Sequence, residues 1–395
     1  MNNHNTRKPV KFTKEMMSLP KNVKLISLVM LVYYLGWGIS ETFTNIYFKE
    51  ILGSYTKLGI VAALLPFFGI IWALTAATFV DKVKKNRIIS AILLLYLPMS
   101  FIILSLRRFS GFVAFRFYHA FLATNLWLSS ETFLRKYSPK TKKAESIGMF
   151  DSAYGISLIV GPIIGGILIT KYSYSIFYTI SFFAFIAFLV SLKLNDKIII
   201  NKKQPVQKIN LKQELKDFYS NKKLFRIVTF HFFLVIASSF IAMLLPLFYK
   251  DIGANFYQIG FLASLFYFPQ VFESYFSTFN NKRKVFLSSL FLASILFIAL
   301  FFTKSIYLLL IITFLLGLAL SAISPIIQGK AAGYMPKKKV GELYSVQFSV
   351  MHLANTIGPV LAGIVADSYG LKYIFIIAAF IFTILFFVNL KKKLV

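Results

Sequence analysis

Residues 116–166 read RFYHAFLATNLWLSSETFLRKYSPKTKKAESIGMFDSAYGISLIVGPIIGG, and the second part of this stretch recurs later in the chain. Five of its residues return 197 positions further on: Pro139, Glu145, Gly161, Pro162 and Gly166 correspond to Pro336, Glu342, Gly358, Pro359 and Gly363. All five are charged or helix-interrupting types, and chance does not readily place five such identities at one offset. The chain is therefore a duplicated one.

The duplication extends beyond this stretch. Lys49, Glu50 and Gly59 match Lys250, Asp251 and Gly260 at an offset of 201. Both copies begin after an even number of apolar segments, so the two halves enter a membrane from the same side. This arrangement is a parallel repeat.

The composition predicts a membrane protein. Apolar residues make up 57% of the chain and aromatic residues 17%, and the mean hydropathy is +0.71; soluble domains are about half apolar. Twelve apolar segments, each about 20 residues long, have the length that crosses a bilayer. In order, segments 1 to 12 cover 24–48, 57–80, 88–106, 110–134, 147–170, 173–194, 224–249, 256–279, 285–303, 305–329, 343–366 and 372–390.

The basic charge indicates topology. The chain has 44 Lys and Arg against 14 Asp and Glu, a net charge of +30. A soluble protein with this charge would suggest nucleic-acid binding. Here 35 of the cations lie in alternate loops and both tails, and 8 lie in the other loops. The positive-inside rule then places both termini in the cytoplasm of a plasma membrane protein, and no nucleic-acid partner is expected. We call the two ends of the protein the inner and the outer end accordingly.

The segments divide the chain into five parts. A cytoplasmic tail, 1–23, precedes an N-terminal half of six segments, 24–194. A cytoplasmic linker, 195–223, has Leu211, Leu215 and Phe218 spaced among lysines, which predicts an amphipathic helix on the anionic inner lipid surface. A C-terminal half, 224–390, and a short tail, 391–395, complete the chain.

Segment 1 has a polar stripe. Tyr34, Trp37, Glu41 and Asn45 follow helical spacings of three and four residues and so share one face. A carboxylate inside a membrane is costly and is a functional-site hypothesis by default. The alternative is that Glu41 lies close enough to the outer surface to be hydrated.

Segment 4 has a second stripe, which begins with an arginine. Arg116, Ala120, Ala123, Trp127 and Glu131 follow spacings of four, three, four and four residues. A buried guanidinium needs a partner, and Glu41, at a similar depth, is the candidate. His119, one turn on, can be a third member or a hydrogen-bonded structural histidine.

Further carboxylates lie near the inner end. Glu131 and Asp151 are either inner-gate or proton-relay groups, or interfacial carboxylates paired with Lys82, Lys85 or Lys136. Glu273 lies near the inner end of segment 8. Glu145 and Glu342 occupy equivalent loops, which favours a structural role at the interface of the halves.

Three motifs resemble those of the major facilitator superfamily, in particular its twelve-helix group of drug and metabolite:proton antiporters. The first, AATFVDKVKKNR, has Ala77 and Lys84 at two glycine positions and keeps Asp81, Lys82, Lys85 and Arg87. The second is Arg116 with Ala120 at a glycine position. The third is SLIVGPIIGG in segment 5, with Ser157 at its first glycine position.

This resemblance implies an all-α membrane protein with twelve transmembrane helices in two pseudo-symmetric six-helix halves. Segments 1, 4, 7 and 10 would surround a central cavity. The basic loop would contact acidic groups across the interface of the halves. The helix-packing motif would comprise Gly161, Pro162, Gly165, Gly166, Gly358, Pro359 and Gly363.

The predicted function is secondary transport by alternating access, with proton-coupled efflux of a small amphipathic molecule. Glu41, Arg116 and Asp151 are the expected proton-coupling residues. The expected cavity residues are Tyr34, Trp37, Glu41, Asn45, Arg116, His119 and Trp127. The partners are the small-molecule substrate, protons and membrane lipid; a monomer without cofactor or metal is expected.

Other functions stay open as alternatives. A proton-coupled importer of a sugar or other nutrient would use Arg116 to bind its substrate. A lipid flippase or scrambling scaffold would not explain Glu41 and Arg116 inside the membrane. A membrane-embedded enzyme is disfavoured, because no clustered His and carboxylate set and no nucleophile motif occurs.

Overall fold

The computed structural model describes residues 18–79, 83–196, 211–276, 279, 281–336 and 339–392. Helices and short 3-10 turns make up the regular structure of these residues, and they contain no strand. The N-terminal half comprises α1 (Lys21–Leu52), α2 (Tyr55–Phe79), α3 (Lys85–Leu95), α4 (Met99–Ser105), α5 (Phe109–Tyr137), α6 (Lys143–Tyr172) and α7 (Tyr178–Ser191). The 3-10 turns Lys140–Lys142 and Ser173–Phe177 precede α6 and α7.

The linker contributes α8 (Leu211–Ser220). The C-terminal half then comprises α9 (Lys222–Ser238), α10 (Ile241–Asp251), α11 (Phe256–Tyr267), α12 (Glu273–Phe276), α13 (Lys282–Phe302), α14 (Ile306–Gly333), α15 (Val340–Tyr369) and α16 (Tyr373–Lys392). A 3-10 turn, Phe268–Phe272, joins α11 to α12.

Each of the twelve predicted segments overlaps at least one of these helices. By length and composition alone, nine helical stretches of the described chain can span a membrane. Three features explain why nine stretches, and not twelve, meet these criteria. Segments 5 and 6 run on as one helical stretch, 145–191; α5 carries the polar stripe of segment 4; and segment 8 is interrupted at Pro269, because proline removes a backbone donor. Segments 3 and 7 are likewise divided, at Pro98 and at residues 239–240.

Helix packing defines two halves. In the N-terminal half α1 packs against α6 and α7, and α2 packs against α5. In the C-terminal half α13 packs against α16 and α14, and α9 packs against α15. Two seams join the halves, one between α2 and α15 and the other between α6 and α11, with a smaller contact between α1 and α10.

The duplicated glycine-proline motifs meet at these seams. A Cβ on Gly260 of α11 would collide with the Pro162 carbonyl of α6, and a Cβ on Gly59 of α2 would collide with the Pro359 carbonyl of α15. Gly363 approaches the backbone of Tyr55 in the same way. The second motif copy therefore repeats the contact of the first, and small residues let the helices approach closely.

The remaining glycines of the motif pack within or between the halves. Gly161 lies against Gly38, Gly165 against the Ile39 carbonyl, Gly166 against Phe256, and Gly358 against Ser239.

The outer ends of the two halves are joined by polar contacts. The Asp367 carboxylate of α15 accepts hydrogen bonds from the Ser54 hydroxyl at 2.5 Å and from the Tyr55 and Thr56 backbone N–H groups at 2.8 Å each. Lys250 forms an ion pair with Glu50 at 2.6 Å. These contacts join the halves at the outer end.

Candidate functional site

A cavity lies between the halves, with about 420 Å³ of empty space including the part open to solvent. The N-terminal half contributes α1 and α6 to its wall, and the C-terminal half contributes α10 and α11. The lining residues are Gly38, Glu41, Thr42, Leu158, Pro162, Ile241, Ala242, Leu245, Pro246, Tyr249, Ala263, Phe266 and Tyr267. Glu41 is the one carboxylate among them, so the cavity is an apolar and aromatic chamber with a single acidic group.

The backbone around Glu41 explains why its side chain projects into this chamber. Gly38, one turn earlier, packs directly on Ser157 and Gly161 of α6. That close approach fixes one face of α1 against α6, and Glu41 therefore emerges beside the seam. Its side chain is exposed to the space between the halves.

Tyrosines from both halves surround the carboxylate. The rings of Tyr34 and Tyr154 have centroids 4.7 Å apart, and Tyr267 reaches the cavity from α11. All three hydroxyls lie within electrostatic range of Glu41. Trp127 continues this aromatic wall, with its ring 6.4 Å from that of Tyr34.

Arg116 is buried but is not paired with Glu41. Its side chain is 7% exposed, and its Nη1 lies 3.4 Å from His119 Nδ1. The Nε atom has no hydrogen-bond partner. Among the described residues no ion pair joins Arg116 to Glu41, so the predicted direct pairing is wrong; the two charges interact through space within electrostatic range.

Arg116 and Glu41 do not form an ion pair because the guanidinium lies at a different depth from the carboxylate. It sits 5.4 Å from the ring centroids of Phe48 and Phe115. Phe48 lies about two turns beyond Glu41 along α1. Arginine is therefore held among aromatic rings on the outer side of the carboxylate.

His119 connects this arginine to segment 1. Its ring stacks on that of Trp37, with centroids 4.4 Å apart and planes 2° from parallel. Arginine can only donate hydrogen bonds, so the Nδ1 of His119 accepts and its proton is on Nε2. The histidine is thus a neutral support for the guanidinium.

The repeat shows how the two halves differ here. Phe48 corresponds to Tyr249 at the offset of 201, and Arg116 corresponds to Thr313 at the offset of 197. In the C-terminal half the Tyr249 and Thr313 hydroxyls are hydrogen bonded at 2.9 Å. The same two positions meet in both halves, but only the N-terminal pair carries a charge.

The structure therefore separates the predicted cavity residues. Glu41 lines the chamber and Tyr34 lies beside it. Asn45 donates from Nδ2 to the Ala242 carbonyl at 3.3 Å, across the interface of the halves. Trp37, Arg116 and His119 form a buried group behind the wall.

The inner-end carboxylates have partners that differ from the expected lysines. Glu131 pairs with Arg135, one turn away on α5, at 2.5 Å. Lys136 instead binds Asp196 at 2.6 Å. Asp151 is exposed and lies within electrostatic range of Glu131 and Glu273. An acidic group from each half thus lies toward the inner end of the protein.

Lys85, one of the predicted basic-loop residues, has a contact within its own half. Its backbone N–H donates to Asp196 at 2.7 Å, within the N-terminal half, because this carboxylate caps the start of α3. Arg87 is exposed, and Asp81 and Lys82 lie outside the described residues. Glu145 is half-buried in the first turn of α6; Glu342 belongs to α15, but its side chain is outside the described part.

Two features escaped the sequence prediction. One is the C-terminal wall of the cavity, whose aliphatic residues resemble any lipid-facing ones. The other is the outer contact of Glu50 with Lys250. The repeated Lys49-Glu50 and Lys250-Asp251 pairs were a usable signal for it, since charges retained in both copies at one membrane end favour a shared contact.

Comparisons with known proteins identify a family and relatives for this chain. A family model described as Major Facilitator Superfamily matches residues 26–279 and 228–393. Multidrug resistance protein MdtG of Enterobacter lignolyticus (strain SCF1) is 22% identical over 255 residues, covering 62% of this chain and 60% of that protein. An uncharacterized MFS-type transporter, YuxJ of Bacillus subtilis (strain 168), is 23% identical over 278 residues, covering 66% and 69%. The chain therefore matches about three fifths of the length of the MdtG relative.

Solved structures show the same fold over nearly the whole chain. The nucleoside transporter NupG superposes with a TM-score of 0.77 at 14% identity, covering 94% of this chain and 98% of that one. A bacterial homolog of the human lysosomal transporter Spinster, in an inward-facing and occupied conformation, gives 0.76 at 12% identity, covering 93% and 96%.

Proposed function

The chain belongs to the Major Facilitator Superfamily, and from that premise we propose that it exports small amphipathic cations in exchange for protons. It is a multi-pass membrane transporter and not an enzyme. The proposal includes a place in the cytoplasmic membrane with both termini inside, and a monomer as the transporting unit.

The observation that carries the proposal is the single carboxylate of the cavity. Glu41 projects into a chamber whose other lining residues are apolar, aromatic or hydroxyl-bearing. Aromatic faces attract organic cations, and an intramembrane carboxylate marks an ion or proton path. The lining contains no Asn, Gln or Trp, which disfavours an uncharged sugar.

The exchange of proton for substrate follows from the presence of a single acidic group in the cavity. Glu41 can neutralise either a bound proton or a cationic substrate, and not both at once. A proton that enters from outside therefore displaces the substrate, and a substrate that enters from inside displaces the proton. Alternating access then couples the two movements without direct contact between them.

Arg116 has its role in the state in which the cavity holds neither proton nor substrate. When the cavity holds neither ligand, the guanidinium stabilises the ionised Glu41 from a distance. Direct pairing would compete with the substrate, and the contact with His119 holds Arg116 back. Asp151 and Glu273 toward the inner end favour cation entry from the cytoplasm, and this supports export, as does the likeness to a protein named for multidrug resistance.

The test is Glu41→Gln in proteoliposomes with an imposed proton gradient. The amide cannot release a proton, so uphill transport of a lipophilic cation dye should fall to the leak rate. Its affinity should fall about 10- to 100-fold, since a hydrogen bond to a charged group is worth about 1.5–3 kcal/mol. Glu50→Gln, on the same helix but paired with Lys250 outside the cavity, should retain proton-driven transport. If Glu41→Gln kept full proton-driven transport, the coupling role would be refuted.

A further inference from the structure

The linker helix and the start of α9 form an exposed apolar surface. Leu215, Tyr219 and Phe225 are 41%, 61% and 37% exposed. The rings of Tyr219 and Phe225 lie 5.3 Å apart, and Phe218 packs 5.8 Å from each beneath them. We call Leu215, Tyr219 and Phe225 the corner patch.

Exposed cations surround the corner patch. They are Lys216, Lys222, Lys223 and Arg226. The carboxylates of α8 are Glu214 and Asp217, and Asp217 pairs with Lys339 at 2.5 Å. An apolar surface bordered by four exposed cations, which outnumber the two carboxylates of α8, is complementary to an anionic, amphipathic partner.

The position of the patch relative to the membrane is fixed by the chain. Asn221 caps α9, accepting a hydrogen bond from the Leu224 N–H at 3.1 Å. The helical stretch that begins at Lys222 is long and apolar enough to span a membrane. The corner patch therefore lies at the depth where lipid head groups meet the acyl chains.

The linker helix is also fixed to the C-terminal half. Besides the Asp217–Lys339 ion pair, Asn221 donates from Nδ2 to the Tyr334 carbonyl at 2.9 Å, and α8 packs against α15. The patch is thus a preformed surface that moves with this half.

We propose that the corner patch and its cations bind the head groups of anionic phospholipids. The aromatic and aliphatic side chains enter the interface beside the acyl chains, as in other interfacial helices. The four cations contact the phosphates and the acidic head groups, and juxtamembrane basic residues are known to supply such attraction. The site is independent of the cavity and of what the cavity transports.

The experiment measures lipid preference at the patch in the full chain. The protein contains no cysteine, so Ser220→Cys gives a single labelling position for a fluorophore next to Tyr219. The labelled protein is placed in nanodiscs of phosphatidylcholine and phosphatidylglycerol. Quenching by nitroxide-labelled phosphatidylglycerol is compared with quenching by nitroxide-labelled phosphatidylcholine.

A matched pair of charge variants tests the cations. Lys222→Gln with Lys223→Gln removes two charges from the first turn of α9, and Lys282→Gln with Lys284→Gln removes two from the first turn of α13. Both turns follow an asparagine cap, so the folding consequences are equivalent. The first pair should reduce the preference for phosphatidylglycerol by roughly an order of magnitude, and the second should leave it unchanged.

Each other outcome overturns the proposal. Equal quenching by the two lipids would mean that the patch does not select anionic head groups. Equal effects of the two variant pairs would assign the preference to the overall charge of the protein. A fluorophore quenched by neither lipid would place α8 away from the bilayer.

Discussion

Replacing Gly260 with alanine is expected to loosen the seam between α6 and α11. The added Cβ would fall inside van der Waals contact of the Pro162 carbonyl oxygen, 3.1 Å from its carbon and 3.2 Å from the Gly166 Cα. All of these are backbone atoms, so no side-chain rotation relieves the clash. The helices themselves have to separate.

The cost can be worked from this geometry. Carbon and oxygen rest at about 3.3 Å or more, so α11 has to move by about 1 Å. Overpacking of this kind costs about 1–3 kcal/mol. Alanine recovers about 1 kcal/mol of helix propensity, which leaves a net loss of up to about 2 kcal/mol.

The assay is thermal unfolding of the purified protein in detergent. Gly260→Ala and its repeat partner Gly59→Ala should both lower the apparent Tm by a few degrees. Gly148→Ala is the matched control, because a Cβ there meets no heavy atom within 4 Å, and it should be neutral or stabilising. A Gly260→Ala protein as stable as Gly148→Ala would refute the close packing inferred at this seam.

Two further predictions concern carboxylates outside the cavity. Asp367→Asn should open the outer end, since it weakens three hydrogen bonds between the halves. Because Asp367 is exposed and water competes for these bonds, the equilibrium between the closed and the open outer end should shift by about 1 kcal/mol. Pulsed EPR between spin labels at Arg108→Cys and Lys304→Cys should show a larger fraction of long distances in Asp367→Asn. The control Asp251→Asn loses one hydrogen bond, from Tyr55 at 3.3 Å, and should increase this fraction less. No change with either variant would contradict the role of Asp367. Burial alone would raise the pKa of Asp196, but hydrogen bonds from Lys136, the Lys85 backbone and Tyr137 outweigh it and hold that pKa below its ordinary value. The stabilisation is therefore complete above about pH 4 and is lost as the pH falls through the lowered pKa. Asp196→Asn should accordingly destabilise the protein most at neutral pH and least in acid, and a deficit in Tm independent of pH would contradict this.

The sequence was sufficient for the architecture because its signals are local or periodic. Segment length against bilayer thickness predicts membrane helices, and a fixed offset between Pro162 and Pro359 reveals the duplication. The family resemblance, drawn from three short motifs, is confirmed by the family model. Breaks such as the one at Pro269 were harder to place, since proline is tolerated in membrane helices where neighbours satisfy the backbone.

The site was predicted less completely, for a physical reason. A helical stripe shows which residues share a face, but it does not show what that face meets. Tyr34 and Glu41 lie on one stripe and do lie together at the cavity. Trp37, on the same stripe, turns toward His119 because the side chains of α5 lie within its reach.

By itself, then, the sequence determined an all-helical, duplicated membrane protein whose apolar segments 1 and 4, both in the first half, contain Glu41 and Arg116. The tertiary structure decided that Glu41 stands alone in the cavity while Arg116 lies among Phe48, Phe115 and His119. Intramembrane charges of opposite sign are expected to pair because desolvation is costly. Here the depth of each residue along its own helix, together with the contacts of Arg116 with Phe48, Phe115 and His119, keeps the two apart. Depth and facing partners arise from how the helices pack, and no pattern along one chain segment specifies them.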